Sequence, residues 1–433
     1  MVDKKSEATR HDTLRFLGRA FRHRNYRLFF VGQGTSLIGT WMQQIALSWL
    51  VYRITNSPFL LGLVGFTGMI PMFLFASFAG VLVDRSSRRS LLFATQVLAM
   101  IQASILAFLT LSHLIAVWHI FVLAACLGII NAFDMPTRQS FVIDMVEDRS
   151  DLSNAIALNS AMFNGARLVG PSLAGLTVAA FGEGICFSLN ALSFLAIVVA
   201  LLSMRLRPKP PRRRESHPLE GLKEGYRYAF GFLPIRYLLL MLVVMNFLGM
   251  QYMPLMPIFA RDILHGGPHT QGFLVAAVGV GALGSAVFLA SRKSVHGLEK
   301  LAHRGLAIFG FGAMAFCLSR SVGMSLIFMA VSGVGMMIVL ISCNTIIQTV
   351  VDEDKRGRVM SFHAMSTIGT VPFGSLMAGA LAARVGAQWT VFISSSCCIV
   401  ASFVFSRKLP TLRAVTRPIY AAQGLIEEET APS

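Results

Sequence analysis

The chain has 433 residues, of which 55% are hydrophobic and only 14% are charged. Soluble proteins carry about a quarter charged residues, so this composition excludes an ordinary soluble fold and indicates a membrane protein. The net charge of +17 would suit a nucleic-acid partner, but the basic residues lie almost entirely between long apolar runs, which argues against that role.

Twelve apolar runs are each long enough to cross the hydrocarbon of a bilayer as a helix. Continuous runs of this kind are helices rather than barrel strands, because every backbone polar group must be satisfied within lipid. The sequence therefore predicts an all-α membrane protein with twelve transmembrane helices. The approximate bounds of the spans are 27–52, 59–83, 90–112, 115–136, 154–181, 185–204, 236–260, 271–291, 303–319, 324–349, 359–383 and 388–406.

Positive charge is distributed unevenly over the predicted loops. Of 38 Lys and Arg residues, 33 lie in the termini, the even-numbered loops or the adjoining helix ends, and Arg167 lies within a span. Lys and Arg are retained on the cytoplasmic side, so both termini are predicted to be cytoplasmic. The basic excess also suits contact with anionic membrane lipid. The four basic residues of the opposite side are Arg53, Arg261, Arg320 and Arg384.

The chain is predicted to consist of two pseudo-symmetric halves. Four glycines recur at a constant offset of 204 residues, from 165, 170, 175 and 182 to 369, 374, 379 and 386. A membrane protein that repeats itself is typical of transporters with a site at the repeat interface. The predicted parts are a basic N-terminal segment 1–26, a six-helix bundle 27–204, a proline-rich cytoplasmic linker 205–235, a second six-helix bundle 236–408 and a cytoplasmic tail 409–433. Residues 410–433 of the tail are polar and expected to be disordered.

The strongest motif is the run GVLVDRSSRR at residues 80–89, between spans 2 and 3. It resembles the loop motif G-x-L-A-D-R-x-G-R-R/K of the major facilitator superfamily, and departs from it at Val83 and Ser87. Asp84 can accept hydrogen bonds at a helix N-terminus, and Arg88 can pair with a carboxylate, for which Asp134 is the obvious candidate. The alternative is a solvated basic loop. The predicted gating residues are Gly80, Asp84, Arg85, Arg88, Arg89, Asp134 and Arg138.

Span 5 contains the run RLVGPSLAG at residues 167–175. Its Gly-Pro pair resembles the antiporter motif of the superfamily, where it permits a bend and close packing against span 8. Together with the ends of spans 4 and 6 and with Trp41, Gln43 and Tyr52 of span 1, this run resembles the branch containing the enterobactin exporter and macrolide efflux proteins. The predicted helix-packing residues are Gly165, Gly170, Pro171 and Gly175.

The resemblance covers about residues 20–408 and implies the major facilitator fold in a bacterial inner membrane. It implies a monomeric secondary transporter that exports amphipathic small molecules, of the siderophore or drug class, by alternating access in exchange for protons. A facilitator or importer of a lipid or carboxylate on the same fold is the alternative. No enzymatic activity, cofactor or metal is expected. Gly279, Gly281 and Gly284 match the spacing of a dinucleotide-binding loop, but they lie inside span 8, where helix packing explains them better.

The group that couples transport to protons is open, because no Asp or Glu lies in the middle of a span. Arg167 is the most informative charge, since an arginine at mid-depth costs about 2.5–3.5 kcal/mol on insertion scales. We expect it either to attract an anionic substrate or to hold the bend of span 5. Spans 1, 7 and 10 line the cavity in this superfamily, which makes Gln43, Asn246 and Asn344 predicted cavity residues. His363 can titrate near neutral pH and is a candidate coupling group.

Overall fold

The computed structural model describes residues 19–146, 148–205, 227–292, 297–353 and 355–422. Most of the N-terminal segment, linker residues 206–226 and tail residues 423–433 lie outside these ranges. Twelve long helical stretches follow one another, and no β-strand occurs in the described ranges, so the predicted all-α fold is confirmed. The first six stretches are α1 (Arg24–Thr55), α2 (Pro58–Arg85), α3 (Arg88–Leu111), α4 (Val117–Met145), α5 (Leu152–Phe181) and α6 (Glu183–Ser203).

The second half contains six further stretches, two of which are irregular. They are α7 (Leu233–Ile263), α8 (Pro268–Ala290), α9 (Leu298–Leu318), α10 (Val322–Val350), α11 (Arg356–Val385) and α12 (Ala387–Ala422). Within α7, π-helical turns occupy Val244–Leu248 and Phe259–Ile263, and a single 3-10 turn covers Gly249–Gln251. Within α11, a π-helical turn occupies Met365–Gly369. π-helical turns are rare in proteins, and those that occur are often found at functional sites.

Among the described residues, ten of the twelve stretches are long and apolar enough to cross a membrane. The other two are α1, with 32 residues, and α5, with 30 residues. Both are more than long enough to span a bilayer. Polar side chains interrupt their apolar runs, including Gln33 and Gln43 in α1 and Asn164 and Arg167 in α5. Both of these helices belong to the first half.

The sequence repeat is visible in the backbone. Helix α11 begins and ends 204 residues after α5, because Arg356 follows Leu152 and Val385 follows Phe181 by that offset. The residue after each helix is a glycine with positive φ, 82° at Gly182 and 87° at Gly386. A residue with a Cβ rarely adopts this conformation, which explains why glycine occupies both positions.

The chain divides into two compact units. Unit 1 comprises Met1–Ile54 and Thr67–Arg214, and unit 2 comprises Thr55–Phe66 and Glu215–Ser433. Each unit therefore contains six helices, except that the first turns of α2 cluster with unit 2. This assignment of Thr55–Phe66 has no counterpart in the sequence-based boundaries.

In unit 1, the beginning of α1 and the residues just before it are tied to the start of α5. The backbone N–H of Ala20 donates to the Asn154 side chain at 3.0 Å, and the Tyr26 hydroxyl donates to the Ala155 carbonyl at 2.9 Å. His23 Nε2 lies 3.1 Å from an Asp151 carboxylate oxygen. Nearby, hydrogen bonds from the backbone and side chain of Ser150 lower the pKa of the Asp148 carboxyl. These contacts fix the beginning of α1 within unit 1.

In unit 2, α8 and α10 cross with their backbones in contact. A side chain at Gly281 would meet the Ala330 carbonyl oxygen, and one at Gly333 would meet the Val278 carbonyl oxygen. Small residues permit such close approach in membranes. Of the glycines in span 8, Gly281 therefore serves helix packing. No atom of the described ranges lies within 4 Å of a Cβ at Gly284.

We expect Gly281→Ala to destabilise the protein, because forcing a methyl group into a packed contact costs about 1–3 kcal/mol. The matched control is Gly284→Ala, one turn away on the same helix, where alanine should be neutral or slightly stabilising because it is the better helix former. The melting temperatures of the detergent-purified variants provide the comparison. Equal melting temperatures for the two variants would contradict the assigned contact.

Helix α12 extends beyond the predicted membrane span, so the expectation that the tail is disordered from residue 410 is wrong. It remains helical to Ala422. Leu412, Thr416 and Tyr420 recur every fourth residue and are buried, so they form one face of the helix. The Thr416 hydroxyl also donates to the buried Glu299 carboxylate of α9 at 3.3 Å. A polar composition was therefore a poor guide here, because a single buried stripe is enough to dock the segment.

Candidate functional site

Arg88, at the start of α3, pairs with α4 at a different residue from the one predicted. Its Nη1 lies 3.0 Å from Asp144 Oδ2 and 3.5 Å from the Ser140 carbonyl oxygen. The predicted partner, Asp134, lies ten residues earlier on α4, about 15 Å along the helix axis. The predicted Arg88–Asp134 pair is therefore wrong. Asp144 lies in the last turn of α4, at the end of the helix that Arg88 can reach.

The rest of the loop motif differs from the expectation in detail. Ser87, where the family motif has glycine, caps α3 by accepting a hydrogen bond from the Ser90 backbone at 3.5 Å, a role that serine favours. Arg89 donates to the Leu202 carbonyl in the last turn of α6 at 3.1 Å. Gly80 has no described atom within 4 Å of a Cβ position, so no close helix approach is seen there. The side chains of Asp84 and Arg85 lie outside the described part of the chain.

A buried carboxylate lies inside unit 1. The Asp134 residue is 4% exposed and accepts hydrogen bonds from Gln96 Nε2 at 2.6 Å and from Thr95 Oγ1 at 3.0 Å. Its second oxygen lies 3.3 Å from Arg138, one turn along α4. The Ser36 hydroxyl donates to the Gln96 amide oxygen at 3.4 Å. A polar chain therefore connects α1, α3 and α4, and it satisfies the buried charge as such a group requires.

A second polar network explains Gln43, which had been predicted to line a cavity. Gln43 is 3% exposed; its amide nitrogen donates to Gln102 at 3.1 Å, and its amide oxygen accepts from Asn190 at 2.7 Å. Gln102 in turn donates to the Leu123 carbonyl at 3.2 Å. The structure thus places Gln43 in the interior of unit 1, between α1, α3 and α6, which disagrees with the prediction. The next residue, Gln44, is exposed, because one residue turns a helix by about 100°.

A polar face lies halfway along α5, where Ser160 and Phe163 are exposed and Asn164 and Arg167 are half-buried. Ser160, Phe163, Asn164 and Arg167 share this face because their spacing is that of one helix side. The Arg167 guanidinium carbon lies 5.7 Å from the ring centre of Trp41 in α1. The rings of Trp41 and Phe163 are 6.1 Å apart at an interplanar angle of 69°. A charged group and two aromatic rings therefore meet near the middle of both helices.

Gly170, one turn beyond Arg167, holds this arrangement together. A side chain at Gly170 would meet the Trp41 Cβ and the Ile38 carbonyl oxygen, so glycine lets α1 and α5 come together beside the indole. Gly170, Pro171 and Gly175 are buried within α5. No described atom lies within 4 Å of a Cβ at Gly165, so close packing does not require a glycine there.

Two of the three predicted site residues of unit 2, Asn246 and His363, lie in or close to the irregular turns. Asn246 lies in the first π-helical turn of α7, is buried and donates to the Leu242 carbonyl at 2.9 Å. His363 precedes the π-helical turn of α11, and its buried Nε2 has no hydrogen-bond partner among the described residues. Asn344 of α10 accepts from Gln348 at 3.0 Å. Helices α7 and α11 meet where a side chain at Gly374 would come within 2.7 Å of the Phe247 carbonyl oxygen.

The described residues contain no group of three or more His, Cys, Asp or Glu side chains arranged to hold a metal ion. The cysteines among them are all free thiols.

One ion pair was not predicted from the sequence: Arg53 of α1 contacts both carboxylate oxygens of the buried Glu183, at 2.7 and 3.3 Å. The pair joins the last turn of α1 to the start of α6, where the helix dipole favours an acidic residue.

Comparison with known proteins gives consistent matches over nearly the whole chain. A family model described as transmembrane secretion effector matches residues 19–425. The chain is 24% identical to the staphyloferrin A transporter of Staphylococcus aureus over 391 residues, which are 88% of this chain and 96% of the relative. It is 24% identical to the multidrug efflux pump Tap of Mycolicibacterium fortuitum over 390 residues, 88% of this chain and 94% of the relative.

Solved structures show the same fold at lower identity. A bacterial homologue of the lysosomal transporter Spinster aligns with a TM-score of 0.65 at 15% identity, covering 95% of this chain and 99% of that one. The nucleoside transporter NupG aligns with a TM-score of 0.65 at 14% identity, covering 89% and 98% of the two chains. These likenesses establish the helical architecture alone, since identities this low carry no substrate information.

Proposed function

Because the chain belongs to the transmembrane secretion effector family, of the major facilitator type, we propose that this multi-pass membrane transporter exports amphipathic small molecules in exchange for protons. The proposed substrates are of the siderophore or drug class. The observation that carries the proposal is the half-buried Arg167 on the polar face of α5, because charged side chains at mid-membrane depth mark substrate or ion pathways. The names of two relatives, a siderophore transporter and a multidrug efflux pump, support this substrate range.

The proposed location is a bacterial inner membrane, with both termini in the cytoplasm. The charge asymmetry of the loops supports this orientation, and the exposed basic helix ends on that side suit anionic lipid. We propose a monomer that needs no cofactor. The proposed mechanism is alternating access, in which the substrate site opens to one side of the membrane at a time.

Within unit 1, the contacts of the α2–α3 loop support a gating role. Arg88 ties α3 to the end of α4 through Asp144, and Arg89 ties it to the end of α6 through the Leu202 carbonyl. Asp134 and Arg138 form an ion pair along α4 about two to three turns deeper. In this proposal, the three helices move together at the cytoplasmic end because these ion pairs and caps hold them as one body.

Two groups are proposed to carry the exchanged proton. Asp134 is a buried carboxylate in unit 1, and His363 is a half-buried imidazole in unit 2 whose Nε2 has no partner in the described ranges. Intramembrane ionisable groups of this kind are typical of proton relays. Asp134→Asn and His363→Gln are the variants that separate the two groups.

The proposal is tested by transport into proteoliposomes with an imposed pH gradient. The probes are ethidium, a permanent planar cation, and naphthalene-2-sulfonate, a permanent planar anion, because their charges do not change with pH. A proton-exchanging exporter should concentrate at least one probe in vesicles that are acidic inside, since protons leave as the probe enters. Dissipating the gradient with an ionophore should abolish the accumulation.

The alternative is a facilitator or importer of a lipid or carboxylate on the same fold. A facilitator would bring the probe to equal concentrations whatever the gradient. A proton-coupled importer would concentrate the probe in vesicles that are alkaline inside. Either result would overturn exchange while leaving the transporter fold in place.

A further inference from the structure

A pocket in unit 2 lies between the start of α7, the start of α9 and the C-terminal part of α12, at the predicted cytoplasmic end of these helices. Tyr237 of α7, Glu299 and His303 of α9, and Phe405 and Lys408 of α12 contribute to its lining. We infer that this pocket binds the headgroup of a phospholipid that carries a primary ammonium group. The inference goes beyond the proposed function, because lipid binding does not depend on what the protein transports.

The Glu299 carboxylate is buried without a cation of the chain beside it. Three carboxylate residues are buried among the described residues, and the other two pair with arginines, Asp134 with Arg138 and Glu183 with Arg53. Glu299 is 5% exposed, and its Oε1 accepts a hydrogen bond from Thr416 at 3.3 Å. No described Lys or Arg lies within 4 Å of it. Because buried charges require a partner, this carboxylate fits a cation supplied by a ligand.

The size of the pocket selects the kind of cation. Its enclosed space has room for a group of about the size of a water molecule. A primary ammonium has that size and offers three N–H donors, whereas a trimethylammonium is larger and has no donor. Glu299 lies in the first turn of α9, where the helix dipole favours the ionised carboxylate. The pocket therefore fits a primary ammonium group.

The rest of the lining fits a phosphate beside that ammonium. Lys408 is exposed, and among the described residues it forms no ion pair with Glu299, although both line the pocket. Lysine is a common phosphate ligand, and the half-buried His303 imidazole can donate an N–H to the same group. A zwitterionic headgroup would place its ammonium on Glu299 and its phosphate on Lys408. A purely anionic headgroup would bring its charge toward the buried carboxylate and is disfavoured.

The surroundings of the pocket indicate a lipid rather than a soluble molecule. The rings of Tyr237 and Phe405 are 6.0 Å apart, and the Arg236 guanidinium carbon lies 5.6 Å from the centre of the Tyr237 ring. Tyrosine and basic side chains are typical of the level of lipid headgroups. About one turn deeper in the membrane, Leu240 of α7 and Val404 of α12 are exposed, so acyl chains can lie against them.

The test measures lipid binding to the detergent-purified full chain by native mass spectrometry. The probes are dioleoyl phosphatidylethanolamine, dioleoyl phosphatidylcholine and dioleoyl phosphatidylglycerol, which share their acyl chains and differ in headgroup. We expect the ethanolamine lipid to bind at least about 10-fold more tightly than the other two, as expected for charge-assisted hydrogen bonds. Soluble glycerophosphoethanolamine should bind much more weakly, and equal binding of this molecule would overturn the assignment to a lipid.

Glu299→Gln tests the ammonium contact. It should weaken binding of the ethanolamine lipid by about 10-fold or more and leave the choline and glycerol lipids unchanged. The melting temperature should change little, because the amide oxygen can still accept the hydrogen bond from Thr416. Unchanged binding of the ethanolamine lipid in this variant would overturn the site. Equal weakening of all three lipids with a lower melting temperature would also overturn it and leave Glu299 a structural residue.

Lys408→Gln keeps the test informative if Glu299→Gln folds poorly, because an exposed residue can be changed without disturbing the interior. It should weaken binding of the ethanolamine lipid several-fold. The matched control is Arg407→Gln, which removes the same charge from the neighbouring residue of α12. The Arg407 guanidinium carbon lies 4.7 Å from the centre of the Phe403 ring, and the control should leave lipid binding unchanged. Equal losses in the two variants would show a general effect of surface charge and overturn the site.

Discussion

Asp134→Ala should destabilise the protein by about 3–5 kcal/mol, because removing one partner of a buried ion pair leaves the other charge uncompensated. Arg138 would lose its carboxylate, and Gln96 and Thr95 would lose the acceptor that satisfies them inside unit 1. The measurement is the melting temperature of the purified protein, together with the yield of monodisperse protein in detergent.

The matched control is Asp144→Ala, which removes the carboxylate of the Arg88 pair. That pair is more exposed, and partly exposed pairs contribute about 0–1 kcal/mol, so its melting temperature should stay close to the unmodified protein. The melting temperature of Asp134→Asn should lie between those of the two alanine variants, since an amide oxygen can still accept a hydrogen bond from Gln96. Equal melting temperatures for Asp134→Ala and Asp144→Ala would show that the polar chain of unit 1 does not stabilise the fold.

Gly379→Val should be the second most damaging change, because Gly379 lies against the backbone at the start of α2. A methyl group at Gly379 would come within 2.8 Å of the Gly62 Cα and of the Pro58 carbonyl oxygen. Neither atom can move without displacing its helix, and overpacking of this kind costs about 1–3 kcal/mol or more. We expect a lower melting temperature and faster proteolysis around residues 55–66, which pack with unit 2 through this contact.

The control for that variant is Gly357→Val, on the same helix, where no described atom lies within 4 Å of a Cβ. It should leave both the melting temperature and the proteolysis pattern nearly unchanged. The neighbouring contacts between Phe66 and Phe373, at 5.8 Å, and between Arg261 and Asn56, at 2.8 Å, predict that residues 55–66 stay protected in this control. Protection of the segment in Gly379→Val would contradict the close contact.

The helical architecture could be predicted from sequence because it depends on properties that are local or periodic. Apolar length gives a membrane helix, and the glycine spacing gave the repeat that reappears as α5 and α11, each ended by a glycine with positive φ. The glycines of span 8, whose spacing matches a dinucleotide-binding loop, could be assigned to helix packing for the same reason, because they lie inside an apolar run.

The polar partners could not be predicted, because they depend on how each helix is rotated and how far it reaches. Arg88 pairs with Asp144 rather than Asp134, a difference of ten residues along α4 that the loop sequence does not encode. Gln43 and Gln44 are adjacent in sequence, yet one joins a buried network and the other is exposed. The buried amide residues of unit 1 were weakly indicated by the sequence, because each is a polar residue within an apolar run; they include Gln96, Gln102 and Asn190.

Coupling of substrate and proton movement is tested most directly by measuring the protons. Proteoliposomes containing a trapped pH-sensitive dye, with no initial pH gradient, would receive whichever probe is transported in the gradient experiment. Inward movement of the probe should make the lumen alkaline as protons leave. If Asp134 carries the proton, Asp134→Asn should abolish this pH change, and if His363 carries it, His363→Gln should abolish it. Probe entry without any change in lumenal pH would contradict proton exchange and identify the protein as a facilitator.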